Sequence, residues 1–363
     1  MKVLYIGNYN DGTGWGNAAK ANIKALAMVE GVSVCCKSIT FNGNYQTQDP
    51  SMLAMEQTEF DKPDVCIQHT LPHLYSYDSR YKNIGVFYFE ANSVPAEWIT
   101  QLNMMDELWV ATHKNQKDAI SSGVTTPIKV VPIPLDVDKI TYLSGVGGKI
   151  DRMTGRFNFG FVGEFVERKN LKALLTAFHA EFDPSEPVNL LIKTSGVTIE
   201  DLKQYIGQVK NGLKIRGQYI EDILVCGIME EKDYYSVLSQ CNCLVVPSRA
   251  EGWCIPAWEA MALNIPVISA EGTELIPHEN ELMKFVPSRV EPCFGALDTM
   301  PFLQTANQTW NEIDVTELRK AMRERYETPI AKADSSWHNL LSLESVGTAM
   351  KINMENLLKE KNV

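Results

Sequence analysis

The sequence predicts an α/β protein built from two doubly wound domains, each a parallel sheet covered by helices. Three observations carry this. Short apolar runs alternate with amphipathic or irregular stretches along the chain, the pattern of parallel strands joined by crossover helices. The chain has 363 residues, enough for two domains. A break rich in proline and glycine, from Val130-Val-Pro-Ile-Pro-Leu-Asp136 to Gly145, Gly147 and Gly148, reads as a linker. The domains are accordingly placed at 1–150 and 151–335, with 336–363 expected as a C-terminal helix that crosses back to the N-terminal domain.

Composition narrows the class. Hydrophobic residues make up 45% and charged residues 22% of the chain, as in ordinary globular proteins. The net charge of −11 argues against bulk adhesion to nucleic acid or anionic membrane, although a local basic cleft is compatible with it. No apolar run approaches the length of a membrane span. The opening Met-Lys-Val-Leu-Tyr-Ile-Gly is too short in its apolar part for a signal peptide and reads as a first strand. The eight cysteines include no CxxC pair, and most fall in expected strands. Cys241-Asn-Cys243, just before an apolar strand, reads as buried free thiols, the compartment reads as reducing, and a cytoplasmic location is expected. The six histidines form no HExxH or similar pattern, so no metal site and no cofactor are expected.

In the N-terminal half, residues 2–7 are a buried strand. Asn8 to Asn17 is glycine-rich and runs into a helix whose inward positions are Ala19, Ile23 and Leu26. Gly12, Gly14 and Gly16 lack the G-x-G-x-x-G spacing of a dinucleotide fingerprint. Strands follow at Val32–Ile39, Asp64–Gln68, Ile84–Phe89, Glu107–Ala111 and Ile128–Val131. The stretch from Phe41 to Asp61 is polar and reads as a loop with one helix from Ser51. Glu90 lies just past the end of a buried strand, on the edge where ligands bind in open α/β sheets. His69 and His113 read as packed or surface histidines before they read as site residues.

In the C-terminal half, Phe157–Val162 is a strand, and Gly163-Glu-Phe-Val-Glu-Arg-Lys-Asn170 leads from it into a helix with Leu171, Leu174, Leu175 and Phe178. Val188–Lys193 and Ile223–Cys226 are strands, the latter followed by Gly227, Ile228 and Met229. Glu231 to Gln240 is helical, with Tyr234, Tyr235 and Leu238 inward. Val346, Met350, Met354 and Leu357 stand at helical spacing near the end of the chain.

The densest stretch is Pro247-Ser-Arg-Ala-Glu-Gly-Trp-Cys-Ile-Pro-Ala-Trp-Glu-Ala-Met-Ala262. An apolar strand, Cys243 to Val246, precedes it. A polar turn at Glu251 and Gly252 comes next, and then a helix with Pro256 in its first turn, where proline is tolerated. Pro266-Val-Ile-Ser269 is the following strand. Backbone N–H groups at the helix start, near Cys254 and Ile255, favour an anion such as a phosphate. Carboxylates at Glu251 and Glu259 suit hydroxyls beside it. The competing reading is a surface loop and an ordinary amphipathic helix.

Glu251 and Glu259, set in EGWCIPAWEAMA with Asn264-Ile-Pro-Val267 after it, resemble the E-x7-E motif of retaining, GT-B-fold glycosyltransferases of family 4. The turn at Arg168-Lys-Asn170 resembles that family's RKN loop, and Glu164 departs from the arginine many members carry after the glycine. Tyr88-Phe-Glu90 with Pro95-Ala-Glu-Trp98, the strand Asp106-Glu-Leu-Trp-Val-Ala-Thr112, and the stretch Val130–Asp136 resemble its N-terminal segments. Glu274 resembles the glutamate that closes its C-terminal domain. The likeness spans about 1–280 and is densest at 155–280.

The resemblance implies two Rossmann-like domains facing a cleft and a metal-independent, retaining transfer from a nucleoside-diphosphate sugar, UDP-sugar first and GDP-sugar second. Arg168, Lys169 and the helix start at Cys254 and Ile255 would stabilise the departing diphosphate. Glu251 would meet the sugar hydroxyls and Glu259 the ribose, while Glu90 would orient acceptor or sugar or act as a base. Gly14, Gly16, Gly163, Lys193, Gly252 and Trp253 would line the nucleotide-sugar site, and Ile228 and Met229 would cover the base. The acceptor stays open among glycan, lipid, protein, small molecule and modified nucleic-acid base. Two alternatives stand beside this one: a sugar-nucleotide-binding protein without transfer activity, and an epimerase or phosphorylase of related architecture. A phosphorylase would need a lysine bearing pyridoxal phosphate, and no such motif is visible.

Overall fold

The computed structural model describes residues 1–40, 49–215, 217–273, 281–295, 302–330 and 337–360. The chain divides into two units, Met1–Asp136 with Ser336–Val363, and Val137–Ser335. The first unit opens with β1 (Lys2–Gly7), α1 (Gly14–Ala27), β2 (Ser33–Ser38), α2 (Pro50–Glu56) and β3 (Val65–His69). It continues with β4 (Lys82–Val86), α3 (Ala96–Leu102), β5 (Glu107–Val110), α4 (His113–Ser121) and β6 (Ile128–Val130). The strands pair in parallel in the order β2-β1-β3-β4-β5-β6.

Every residue of β3 and β5 is buried. Strands covered on both faces read as unbroken apolar runs, which is why these segments stood out in the sequence. Local capping sets the helix starts. Thr13 accepts from the Gly16 N–H at α1, Asp49 caps α2 ahead of Pro50, and Thr112 caps α4.

The second unit begins with α5 (Val137–Ser144), β7 (Phe157–Glu164), α6 (Leu171–Glu181), β8 (Val188–Ser195), α7 (Ile199–Leu213) and β9 (Ile223–Cys226). Next come α8 (Glu231–Leu238), β10 (Cys243–Val246), α9 (Ile255–Ala262), β11 (Val267–Ala270) and β12 (Met283–Val286). A hairpin, β13 (Ser288–Pro292) and β14 (Thr309–Ile313), and helix α10 (Val315–Glu327) complete it. The parallel sheet runs β12-β11-β10-β7-β8-β9. Phe159, Phe161, Phe178, Phe182, Ile192 and Met322 are part of its buried core. The chain ends with α11 (His338–Leu341) and α12 (Leu343–Lys359), which belong to the first unit. Val346, Met350, Met354 and Leu357 are all buried there, and α12 packs on α1. Gly347 permits the approach, since a Cβ at that position would lie 2.3 Å from the Ala25 carbonyl oxygen.

Two expectations need correction. The boundary set at 150/151 lies after Asp136. The segment read as linker contains α5, which packs on α8 and α9 because Ile140 is buried, and Gly147 approaches the Lys232 carbonyl too closely for any side chain. The strand expected to reach Phe89 ends at Val86, although Phe87 to Phe89 remain buried and the Phe87 N–H still donates to the Trp109 carbonyl. Burial without a continued ladder looks the same in the sequence. Glu274 and the segment 41–48 lie outside the described residues.

Candidate active site

In each sheet the strand order reverses at one place, between β1 and β3 in the first and between β7 and β10 in the second. Ligands of open α/β sheets bind outside the carboxyl ends of the strands at such a point. The loops that leave β7 and β10 carry the charged residues singled out in the sequence, and β7 and β10 are direct neighbours.

After β7 a short turn, Glu167–Lys169, ends at Asn170, whose backbone is left-handed (φ 53°) and whose side chain caps α6. Asparagine tolerates this conformation better than most residues. The turn brings Lys169 Nζ to 2.6 Å from Glu251 Oε1 and Arg168 Nη1 to 3.2 Å from Glu251 Oε2. Arg168 Nη1 also donates to the Ala250 carbonyl at 2.9 Å. Gly163 leaves room for this, since a Cβ there would press on the lysine stem at 3.3 Å. The Glu251 side chain is only 4% exposed. Burial alone would raise its carboxyl, but Lys169 and Arg168 outweigh that and hold it below the usual range. Removing one member of such a buried group costs about 3–5 kcal/mol, because the other charges lose their partner.

Glu259 sits on α9 in a different environment. Tyr234 donates to its Oε2 at 2.7 Å and Tyr235 to its Oε1 at 2.9 Å, both from α8. Burial raises this carboxyl, and the two hydroxyls only partly offset it. The two glutamates of one motif are therefore held in opposite ways, one by cations and one by phenols.

Between them, Cys254 adopts a left-handed backbone (φ 57°) and precedes α9 with no side-chain cap, so the helix start offers backbone N–H groups beside Glu251 in the chain. Burial pushes the Cys254 thiol up to about 12, with the Glu251 charge adding to it, which makes it an inert thiol. The Trp253 ring stacks on Trp258 at 4.8 Å, and Trp258 Nε1 donates to the Trp253 carbonyl. Trp253 and Gly252 thus contribute as packed backbone of the loop. Ile255 is partly exposed.

The other candidates are placed as follows. Lys193 lies in β8, next to β7, and burial lowers its ammonium, with the Cys226 sulfur partly offsetting. Ile228, just past β9, is exposed and Met229 is partly buried. Gly14, Gly16 and Glu90 belong to the first unit. Gly14 has open space around it. A Cβ on Gly16 would lie 2.1 Å from the Asp11 carbonyl oxygen, so that glycine is needed by its own loop. Glu90 is partly exposed just beyond β4. His69 ends β3 at the first unit's reversal point, where Tyr5 is hydrogen-bonded to its Nδ1 at 2.7 Å. Burial lowers it to about 3, so it is neutral. Among the described residues no three His, Cys, Asp or Glu side chains gather as metal ligands, and no helix is long and apolar enough to cross a membrane. All eight cysteines are free.

Sequence reading missed the hydroxyls of Tyr234 and Tyr235, which it treated as inward-facing bulk. It also missed Arg249 and Glu312. Adjacent tyrosines on a helix give no local signal of a partner 24 or 25 residues away.

Solved structures show the fold. Sucrose-phosphate synthase from Thermosynechococcus elongatus matches with a TM-score of 0.62 at 15% identity, over 98% of this chain and 99% of that one. Anabaena HepE in complex with UDP-glucose matches with a TM-score of 0.59 at 13% identity, over 99% and 97%. The chain therefore has two parallel-sheet, Rossmann-like α/β domains of the GT-B class. Residues 156–292 match the family model of Glycosyl transferases group 1, which places a domain of that kind in the second unit. An uncharacterized glycosyltransferase of Methanocaldococcus jannaschii is 33% identical over 131 residues, 36% of this chain and 33% of the relative. The chain thus spans about a third of the length of that relative.

Proposed function

We propose that this protein is a glycosyltransferase that moves a sugar from a nucleoside-diphosphate sugar, with UDP-sugar the first choice and GDP-sugar the second, to an acceptor not yet identified. The observation that carries the reading is Glu251 held between Arg168 and Lys169 where the second sheet reverses, inside the segment that matches glycosyl transferases group 1. The HepE likeness supports UDP, since that protein was crystallised with UDP-glucose.

The chain's own groups suit the chemistry. A diphosphate entering beside the start of α9 exchanges for Glu251 as the partner of Arg168 and Lys169. These cations, fixed in place beforehand, then stabilise charge as it develops on the leaving phosphate. Glu251, displaced from them, accepts hydrogen bonds from the sugar. Glu259, held by Tyr234 and Tyr235, keeps lone pairs for the ribose hydroxyls. The transfer is retaining and needs no metal, and Glu90 orients the acceptor or the sugar or acts as a base. Intact Glu251, Glu259, Arg168 and Lys169 argue against a binding protein without turnover.

UDP should raise the melting temperature, because a ligand that binds only the folded state stabilises it by mass action. No shift with UDP, GDP or ADP at about millimolar concentration, hundreds of times a typical micromolar Kd, would reject the reading. Turnover of the donor should also persist in excess EDTA. Complete loss, restored by Mn²⁺, would show that side chains and a helix terminus do not meet the phosphate charge alone.

A further inference from the structure

The hairpin β13–β14 lies at or beyond the end of the segment that matches glycosyl transferases group 1, with all of β14 outside it. It nevertheless reaches the turn that carries Arg168 and Lys169, through Arg249. The Arg249 side chain is 7% exposed. Its Nε donates to Glu312 Oε2 at 2.5 Å, and its Nη1 donates to the Glu167 carbonyl. The guanidinium lies 4.7 Å from the Phe294 ring centroid and 5.3 Å from that of Trp310. The backbone of the same residue joins the same two partners. The Arg249 N–H donates to the Arg168 carbonyl, and the Asn311 N–H donates to the Arg249 carbonyl, both at 2.8 Å. Glu312 closes the circuit, since its Oε1 accepts from Asn170 Nδ2 at 3.1 Å, at the other end of the turn.

We propose that Arg249 and Glu312 are positioning residues that tie the β13–β14 hairpin to the Arg168–Lys169 turn and so set how those two cations face a diphosphate. The turn itself is only three residues, Glu167–Lys169, set between Val166 and a left-handed Asn170, and its own internal hydrogen bonds are local. One arginine holds the carbonyls of Glu167 and Arg168, and one carboxylate holds both that arginine and Asn170. A planar guanidinium can donate from a fixed fork while its face lies on aromatic rings, and a lysine ammonium has no such flat fork. A group meant to stabilise charge must be held in place before the charge appears, and such support is what a loop-borne clamp otherwise lacks. The relay's functional purpose rests on the glycosyltransferase reading, but the mechanical coupling does not.

The test uses the full chain with Glu312→Gln, which keeps the shape of the side chain, and Arg249→Lys, which keeps the charge. Each is studied at a temperature where circular dichroism shows it folded. The first readout needs no nucleotide. Lys169 is labelled with an acetylating reagent and followed by peptide mass spectrometry, with Lys320 on α10 as the internal reference. Both variants should label Lys169 about threefold faster or more, as its ion pair with Glu251 loosens, with Lys320 unchanged. Equal Lys169 labelling in wild type and both variants would overturn the coupling.

The second readout is calorimetry with UDP. Glu312→Gln should weaken binding about tenfold in the wild-type background and less than about twofold in a Lys169→Ala background, because residues acting through one another are not additive. Effects that simply multiply would overturn the relay and leave a merely structural role. A wild-type protein that binds no nucleoside diphosphate would instead overturn the donor reading, while the labelling result still decides the coupling.

Discussion

Glu251→Gln is expected to lose about 2–4 kcal/mol of transition-state stabilisation, roughly a 30- to 1,000-fold drop in turnover, while binding UDP no more weakly than the wild type. The split follows from the geometry. Glu251 is the anion that Lys169 and Arg168 hold at 2.6 and 3.2 Å, so it competes with a diphosphate for them. Neutralising it removes the competitor, and UDP gains or loses little. The transferred sugar, however, loses a full carboxylate acceptor as its charge and geometry change. An interaction that strengthens on the way to the transition state acts on turnover rather than on ground-state affinity. Glu259→Gln should behave differently. Its carboxylate accepts from two tyrosine hydroxyls, and an amide can serve only one of them as acceptor. In the proposed mechanism it meets the ribose, which does not change during reaction. UDP affinity and donor KM should therefore worsen together, by about 1.5–3 kcal/mol, the range for hydrogen bonds to charged groups. If these residues were only a solvated loop and helix face, both changes would stay within about 0.5 kcal/mol of stability. Initial rates and calorimetry on the two variants distinguish these outcomes, and wild-type turnover in Glu251→Gln would remove the centre of the proposed mechanism.

Gly16→Ala should destabilise the protein by about 3 kcal/mol, the upper part of the range for overpacking, whereas Gly14→Ala should be nearly neutral. The added Cβ at position 16 meets two backbone atoms, the carbonyl oxygens of Asp11 at 2.1 Å and Asn8 at 2.8 Å, and neither can turn aside like a side chain. At Gly14 nothing lies within 4 Å. For a domain of this size the loss corresponds to a fall in melting temperature of about 6–12 °C. Thermal denaturation of both variants checks it. Equal melting temperatures would mean that the loop after β1 relaxes freely and that its glycines serve something other than its own packing.

The same pair shows where sequence reading stops. Gly12, Gly14 and Gly16 look alike in a glycine-rich stretch, and the resemblance gives Gly14 and Gly16 one task. Only the path of the loop separates the glycine that cannot be replaced from the one that can. The tyrosines of α8 teach a similar lesson. Their inward position was legible from helical spacing, but a hydroxyl's partner is a matter of where α9 lies, and spacing along one helix does not encode the distance to another.

The sequence by itself determined the alternation of strands and helices, the doubly wound class, the buried thiols of Cys241 and Cys243 and the stretch that carries Glu251 and Glu259. These follow from local causes: apolar runs that need cover, caps and prolines that start helices, and a motif whose residues are neighbours in the chain. Tertiary structure alone decided that Glu251 is held by two cations more than eighty residues away in sequence and Glu259 by two phenols. It also decided that Val137–Ser144 is a packed helix of the second unit rather than a linker, and that Arg249 reaches a hairpin beyond the recognisable motif. The reason is that a charge buried on folding takes whatever counter-charge the sheet order brings beside it. That order, with β10 next to β7, is set by the packing of the whole domain.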